Sequence, residues 1–219
     1  GPDLQGFDHS SGDGASSPDA RHHGDSLAGD RLTDAALKFI DEQGGRPFFL
    51  LLSHWDVHAP FAARPEVVAR YRMKLANFEG EEWDPTYAAM IENVDQSIGR
   101  IRARLRERGL AQDTLFIFMS DNGGKTGMTP NAVLRGGKGS FLEGGIRVPT
   151  VVAWPGQIPA GSLSDVPVTS VDWMPTLAEL SGAELPDTQV QPVDGRSLLP
   201  LLRGESVPNL EGRPLFWFI

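Results

Sequence analysis

The sequence contains no cysteine, which removes from these 219 residues any disulfide framework, thiolate metal site, iron–sulfur cluster or catalytic thiol. It has no run of about 18 apolar residues, the length at which a helix crosses a bilayer, and no membrane partner is expected. Its first residues, Gly1-Pro2-Asp3, lack the charged-then-apolar pattern of a secretory leader. Positive charge is also short. With 20 Lys and Arg against 29 Asp and Glu, the net charge is -9, so the basic footprint that holds a protein to phosphate backbones is missing. No nucleic-acid partner is expected. What remains is ordinary: 40% hydrophobic and 22% charged residues, with 25 Gly and 17 Pro, match a globular chain long enough to bury a core within one domain.

The local patterns predict an α/β chain. Residues 1–30 are rich in Gly, Ser, Asp and His (Asp8 to Gly14, then His22-His23-Gly24-Asp25) and read as an irregular surface segment. From Leu32 an apolar stripe of Leu32, Ala35, Ala36, Phe39 and Ile40 predicts a helix stopped by Gly44-Gly45. Phe48 to Leu52 is a continuous apolar run, expected as a central strand covered on both faces of a parallel sheet. Tyr87, Met90, Ile91, Val94, Ile98, Ile101 and Leu105 recur every three or four residues and carry the strongest helical signal, with Gly109 as its cap. Arg100, Arg102, Arg104, Arg106 and Arg108 on this helix read as a solvated face at the end of the helix dipole that favours cations. Strands are expected at Thr114–Met119 and Thr150–Ala153, a helix at Trp173–Leu180 with Pro175 in its first turn and Gly182 after it, and a helical turn near Leu198–Leu202. The core is assigned to 31–182, and 183–219 to the start of a C-terminal region.

In open α/β sheets, ligands bind beyond the carboxyl ends of strands. Two segments lie there: Ser53 to Pro60, with His54 and His58, and Ser120 to Gly124, with Asp121 and Asn122. Asp121 and Asn122 offer hard oxygens suited to Ca²⁺ or Mg²⁺, while Asp-Asn-Gly-Gly equally suits a tight turn. His58 is a ligand, an acid/base group or a packed histidine before a proline turn. Leu134 to Arg147 places five glycines around Arg135, Lys138 and Arg147, either a loop through which backbone and a lysine approach an anion or a glycine-rich hairpin. Between Ser120 and Val148, four cations (Lys125, Arg135, Lys138, Arg147) face two anions (Asp121, Glu143), a local +2 within a chain of -9. Oxygen ligands, a histidine and a lysine together suit transfer chemistry on a tetrahedral oxyanion.

FFLLLSHWDVHAP (48–60), YAAMIENVDQSIG (87–99), TLFIFMSDNGG (114–124), LRGGKGSFLEGGIRVP (134–149) and DGRSLL (194–199) resemble, in order, the type I sulfatases of the arylsulfatase and carbohydrate-sulfatase kind. The resemblance implies an alkaline-phosphatase-like α/β fold, a mostly parallel sheet sandwiched between helices, here incomplete at both ends. It implies hydrolysis of sulfate esters of aryl groups or carbohydrates beside Ca²⁺, placed ahead of Mg²⁺, with a formylglycine nucleophile. On that reading Asp121 and Asn122 are metal ligands, Lys138 and His58 are catalytic, and Glu143 and Arg147 hold the glycine loop. The substrate would be a sulfated small molecule or glycan, in a periplasmic, secreted or lysosomal compartment.

The family's Cys/Ser-x-Pro-x-Arg nucleophile motif, its paired aspartates and its Gly-Lys-Trp-His motif do not occur in these residues. Gly6-Phe7-Asp8 resembles the segment that follows the last of these. The missing N-terminal half of the same protein is therefore an expected partner, any signal peptide would precede Gly1, and the isolated chain is expected to be inactive and to expose apolar edges such as Phe48–Leu52. Two other readings stay open: a phosphonate or phosphate ester hydrolase of the same superfamily, and a non-catalytic relative that binds sulfated glycans.

Overall fold

The computed structural model describes residues 26–78, 83–185 and 192–217. The histidine pair His22-His23 and most of the expected 1–30 segment lie outside the described residues. The chain forms two compact units, one from Gly1–Ala111 with Ser120–Val148 and the other from Gln112–Met119 with Pro149–Ile219.

The first unit is built around three helices, α1 (Ala28–Glu42), α2 (Pro65–Leu75) and α3 (Pro85–Glu107), with α1 and α2 both packed on α3. Helix α3 starts where the Asp84 side chain accepts a bond of 2.8 Å from the Tyr87 N–H, with Pro85 in the first turn. It ends before Gly109, whose φ of 71° is a conformation that side-chain-bearing residues resist. Its buried residues are Tyr87, Ala89, Met90, Ser97, Ile101 and Leu105. Ile91, expected inside, is 49% exposed. On α1 the buried stripe is Gly29, Thr33, Ala36 and Ile40, which shares only Ala36 and Ile40 with the expected apolar one. The arginine run divides: Arg100 pairs with Asp34, and Arg104 and Arg108 share Asp41, so three of the cations lace α3 to α1. Helix α2 was not anticipated, although Pro65 at its start, Glu66 in its first turn and Arg72 and Lys74 in its last are favourable helix-end signals.

In the second unit, β1 (Phe116–Met119) and β2 (Thr150–Ala153) pair antiparallel from Phe116↔Ala153 to Met119↔Thr150. Helices α5 (Trp173–Ser181) and α6 (Leu199–Leu202) follow. Gly182, with φ 72°, closes α5 as expected. Leu198, Val207 and Leu210 form a buried cluster against Val166, Val168, Trp173, Leu201 and Leu202.

The α/β class is as expected, with two corrections. Phe48–Leu52 joins no ladder among the described residues, and Phe49 and Leu51 are 56% and 65% exposed. An apolar run becomes a central strand only when a neighbouring strand takes up its backbone groups. The ladder that does form is antiparallel, not parallel, because residues 120–149 leave and return between two paired residues, Met119 and Thr150. That excursion carries the motif-bearing loops, including a short fourth helix, α4 (Glu143–Ile146), where a loop was expected.

Candidate active site

Asp121, Asn122, Lys138 and His58 all belong to the first unit. The Asp-Asn-Gly-Gly segment bends at Asp121 and Asn122, and it is locked to the glycine-rich loop by backbone bonds. The Gly123 N–H donates to Gly145 O at 2.9 Å and the Lys138 N–H to Gly124 O at 3.0 Å. The Asn131 side chain holds the segment, accepting from Gly124 N and donating to Gly124 O, both at 3.0 Å. The Gly144 N–H donates to Arg135 O at 2.8 Å. A Cβ on Gly123 would overlap the Gly144 carbonyl, and one on Gly144 the Gly136 carbonyl. These glycines serve backbone-to-backbone packing of two loops. Lys138 and Asp121 are both left exposed, so a carboxylate and an ammonium stand on one interlocked frame, free to meet solvent-borne ligands. Glu143 and Arg147 form an exposed pair with each other at 3.3 Å.

This frame should be intolerant of side-chain volume at its contact points. Gly123→Ala is expected to destabilise by about 1–3 kcal/mol, the usual range for overpacking, whereas Gly99→Ala is expected to stabilise. Gly99 lies in α3 with nothing within 4 Å of an added Cβ, and alanine is the better helix former by about 1 kcal/mol. Thermal melts of the two variants check the pair.

His58 is exposed, and its Nδ1 lies 2.7 Å from Ala59 O. A carbonyl only accepts, so Nδ1 carries the proton, and Nε2 is the nitrogen left to act on a ligand. The imidazole lies 5.0 Å from the Trp55 ring. Among the described residues no hydrogen bond or ion pair joins His58 to the other three. Tyr87 contacts residues near both groups. Phe61, three residues past His58, sets its ring edge against Tyr87 at 5.7 Å, while the Lys125 backbone bonds the Tyr87 hydroxyl. Burial, and secondarily the charge of Asp121, push the Tyr87 phenol up. Tyr87 was expected only as core; nothing in its spacing distinguishes a buried ring from a buried hub. Asn131 likewise carried no sequence signal.

Asp121 and Asn122 have the hard-oxygen chemistry that Ca²⁺ requires, but it takes about 6–8 oxygens. Among the described residues, no group of three or more His, Asp or Glu side chains is arranged to hold a metal. The pair fits a divalent cation in kind, as part of a donor set.

Residues 5–183 match the sulfatase family. A sulfatase of Formosa agariphila is 37% identical over 86% of this chain and 36% of its own length, and the steryl-sulfatase of Mus musculus is 40% identical over 80% of this chain and 28% of its own. Among solved structures, Ps i-CgsB in complex with k-i-k-neocarrahexaose superposes with a TM-score of 0.72 at 36% identity, over 81% of this chain and 39% of that one. The fold is the α/β architecture of the alkaline-phosphatase-like class. Within it, the chain belongs to the sulfatase family. It spans well under half the length of these relatives.

Proposed function

We propose that the protein to which this chain belongs is a sulfuric ester hydrolase. The observation that carries this reading is the interlocked frame, in a member of the sulfatase family, that presents Asp121 and Asn122 beside the exposed Lys138. Lys138 would neutralise the non-bridging oxygens of a bound sulfate as negative charge grows on them. His58, with Nδ1 donating to Ala59 O, would deliver a proton from Nε2 to the bridging oxygen as the S–O bond breaks, so that the alcohol leaves neutral. Asp121 and Asn122 would hold a divalent cation, Ca²⁺ ahead of Mg²⁺, whose charge would polarise the sulfate. The nucleophile, a formylglycine, would come from residues outside this chain. The substrate class is a sulfate ester of a ring alcohol, either a sulfated sugar, as the carrageenan-oligosaccharide complex of a relative suggests, or a sulfated small molecule, as the steryl-sulfatases suggest. Family membership also supports an exported or lysosomal compartment. Among the described residues no helix is long and apolar enough to cross a membrane.

The test is sulfate release by the full-length protein, with formylglycine verified and Ca²⁺ supplied, from an aryl sulfate and from sulfated sugars. Turnover is expected, lost in Lys138→Ala and Asp121→Ala. Absence of release from every ester would overturn the proposal.

A further inference from the structure

The segment that carries His58 is held by polar contacts of unusual regularity. His54 and Asp56, two residues apart, are both half-buried, while Ser53 before them and Trp55 between them are exposed. The Asn93 Nδ2 donates to Asp56 Oδ2 at 2.8 Å, and Gly29 backs this contact so closely that a Cβ there would collide with both atoms. His54 Nε2 lies 3.0 Å from Ser97 Oγ, and Ser97 Oγ lies 2.7 Å from Thr33 Oγ1, whose hydroxyl also reaches Gly29 O. Each level therefore takes one residue from α1, one from α3 and one from the 53–58 segment: Gly29, Asn93 and Asp56 in the first, Thr33, Ser97 and His54 in the second.

The spacing of these levels follows from elementary geometry. Positions i and i+4 on each helix, one turn and about 6.0 Å apart along its axis, meet positions i+2 and i of the segment respectively. A slip of one residue would bring Trp55, which is exposed, to a position where His54 or Asp56 makes its contact, breaking both levels at once. Apolar packing, which is non-directional, would not impose that register. The groups facing Asp56 are His54 on its own segment, Asp30 on α1 and Asn93 on α3, with Arg64 and Arg100 each 3.9 Å from Asp30. Burial pushes the Asp56 carboxyl up and the His54 imidazole down. His54 Nδ1 is buried with no hydrogen bond. Both groups are half-buried in this clamp, each held by a polar contact to α3.

We propose that Asp56 and His54 are positioning residues that act through His58: the two-level clamp fixes the register of the 53–58 segment along α1 and α3, and thereby the place of His58 Nε2. This rests on the sulfatase reading for the role of His58, but the clamp itself can be read without turnover.

The experiment is a double-mutant cycle in the full-length protein with Asp56→Ala, His58→Ala and both together, with Asp56→Asn as the conservative variant that retains an oxygen for Asn93. Displacing a reacting group by about 1 Å costs about 100-fold. Asp56→Ala is therefore expected to lower kcat by about 10- to 100-fold with little change in KM. Asp56→Asn should recover most of that loss, and Asp56→Ala should cost nothing further once His58 is alanine. The His58 ring resonance, assigned by its loss in His58→Ala, is expected to shift in Asp56→Ala and to stay in place in Asp56→Asn. Asn93→Ala, which removes the same bond from α3, should reproduce the shift if Asp56→Ala fails to fold. An equal loss in the presence and absence of His58, or an unmoved His58 resonance, would overturn the proposal. A wild-type protein that releases no sulfate yet shows the shift would sink the sulfatase reading and leave the clamp standing.

Discussion

Replacing His58 by alanine in the full-length protein is expected to reduce turnover of a sulfated sugar by about 10²–10⁴-fold, the usual contribution of a positioned general acid. The same change should cost far less with an aryl sulfate whose phenol leaves readily as an anion, because such a leaving group needs no proton. The exposed Nε2, left available by the Nδ1 contact with Ala59 O, is what makes this expectation specific to proton delivery. Rates for His58→Ala on two esters that differ mainly in leaving-group basicity check it. Equal losses on both would show that His58 binds the sulfate group and does not protonate the leaving oxygen.

The second large effect is expected in the other unit and concerns stability. Asp172 is fully buried and its carboxylate takes both arms of the Arg213 guanidinium, with Nη1 donating to Oδ1 at 2.8 Å and Nη2 to Oδ2. Asp172 also accepts from Thr169 N at 2.8 Å and Arg196 N at 2.9 Å. These contacts dock the Asp-Gly-Arg-Ser-Leu-Leu motif: Gly195 has no room for a Cβ beside the Val171 carbonyl, and the Leu198 N–H donates to Thr176 Oγ1 at 2.8 Å. Arg213→Ala leaves a buried carboxylate without its counter-charge, and removing one partner of such a pair costs about 3–5 kcal/mol. Chemical denaturation of the variant and the parent measures it.

Burial alone would raise the Asp172 carboxyl, but Arg213 and the two backbone donors outweigh it and hold it below the ordinary carboxylate range. A depressed folded-state pKa means that the unfolded chain binds the proton more readily. The stabilisation is therefore present above the unfolded value of about 3.9 and is lost as pH falls through the lower folded value. Asp172→Asn should flatten that part of the acid-denaturation curve, which a pH series of melts reads directly.

How much of this was legible in the sequence depends on whether the cause was local. Helices α1, α3 and α5, the strands β1 and β2, and the caps Gly109 and Gly182 were all expected, since apolar period, proline placement and glycine stops act within a few residues. The ordered motifs also led to the family, because a run of rare local patterns in one order is specific even where each is weak. Several features were not legible, helices α2 and α4 among them. Phe48–Leu52 has the composition of a central strand, but strand formation is decided by a partner. The buried stripe of α1 runs through Gly29 and Thr33, residues that hydrophobic periodicity does not count. The clamp on the His58 segment joins residues 37 and 43 positions apart in sequence.

The sequence by itself determined helices α1, α3 and α5 and the family, and it singled out His58, Asp121, Asn122 and Lys138 as the residues on which its chemistry would rest. Only the tertiary structure decided that the glycines serve backbone interlock, that Nε2 of His58 is the available nitrogen and that Asp56 and His54 hold its segment in register. Local patterns act through the chain's own dihedral preferences. These decisions arise instead from close approach between distant segments, where a missing Cβ or a single hydrogen bond sets which atoms are left exposed to act.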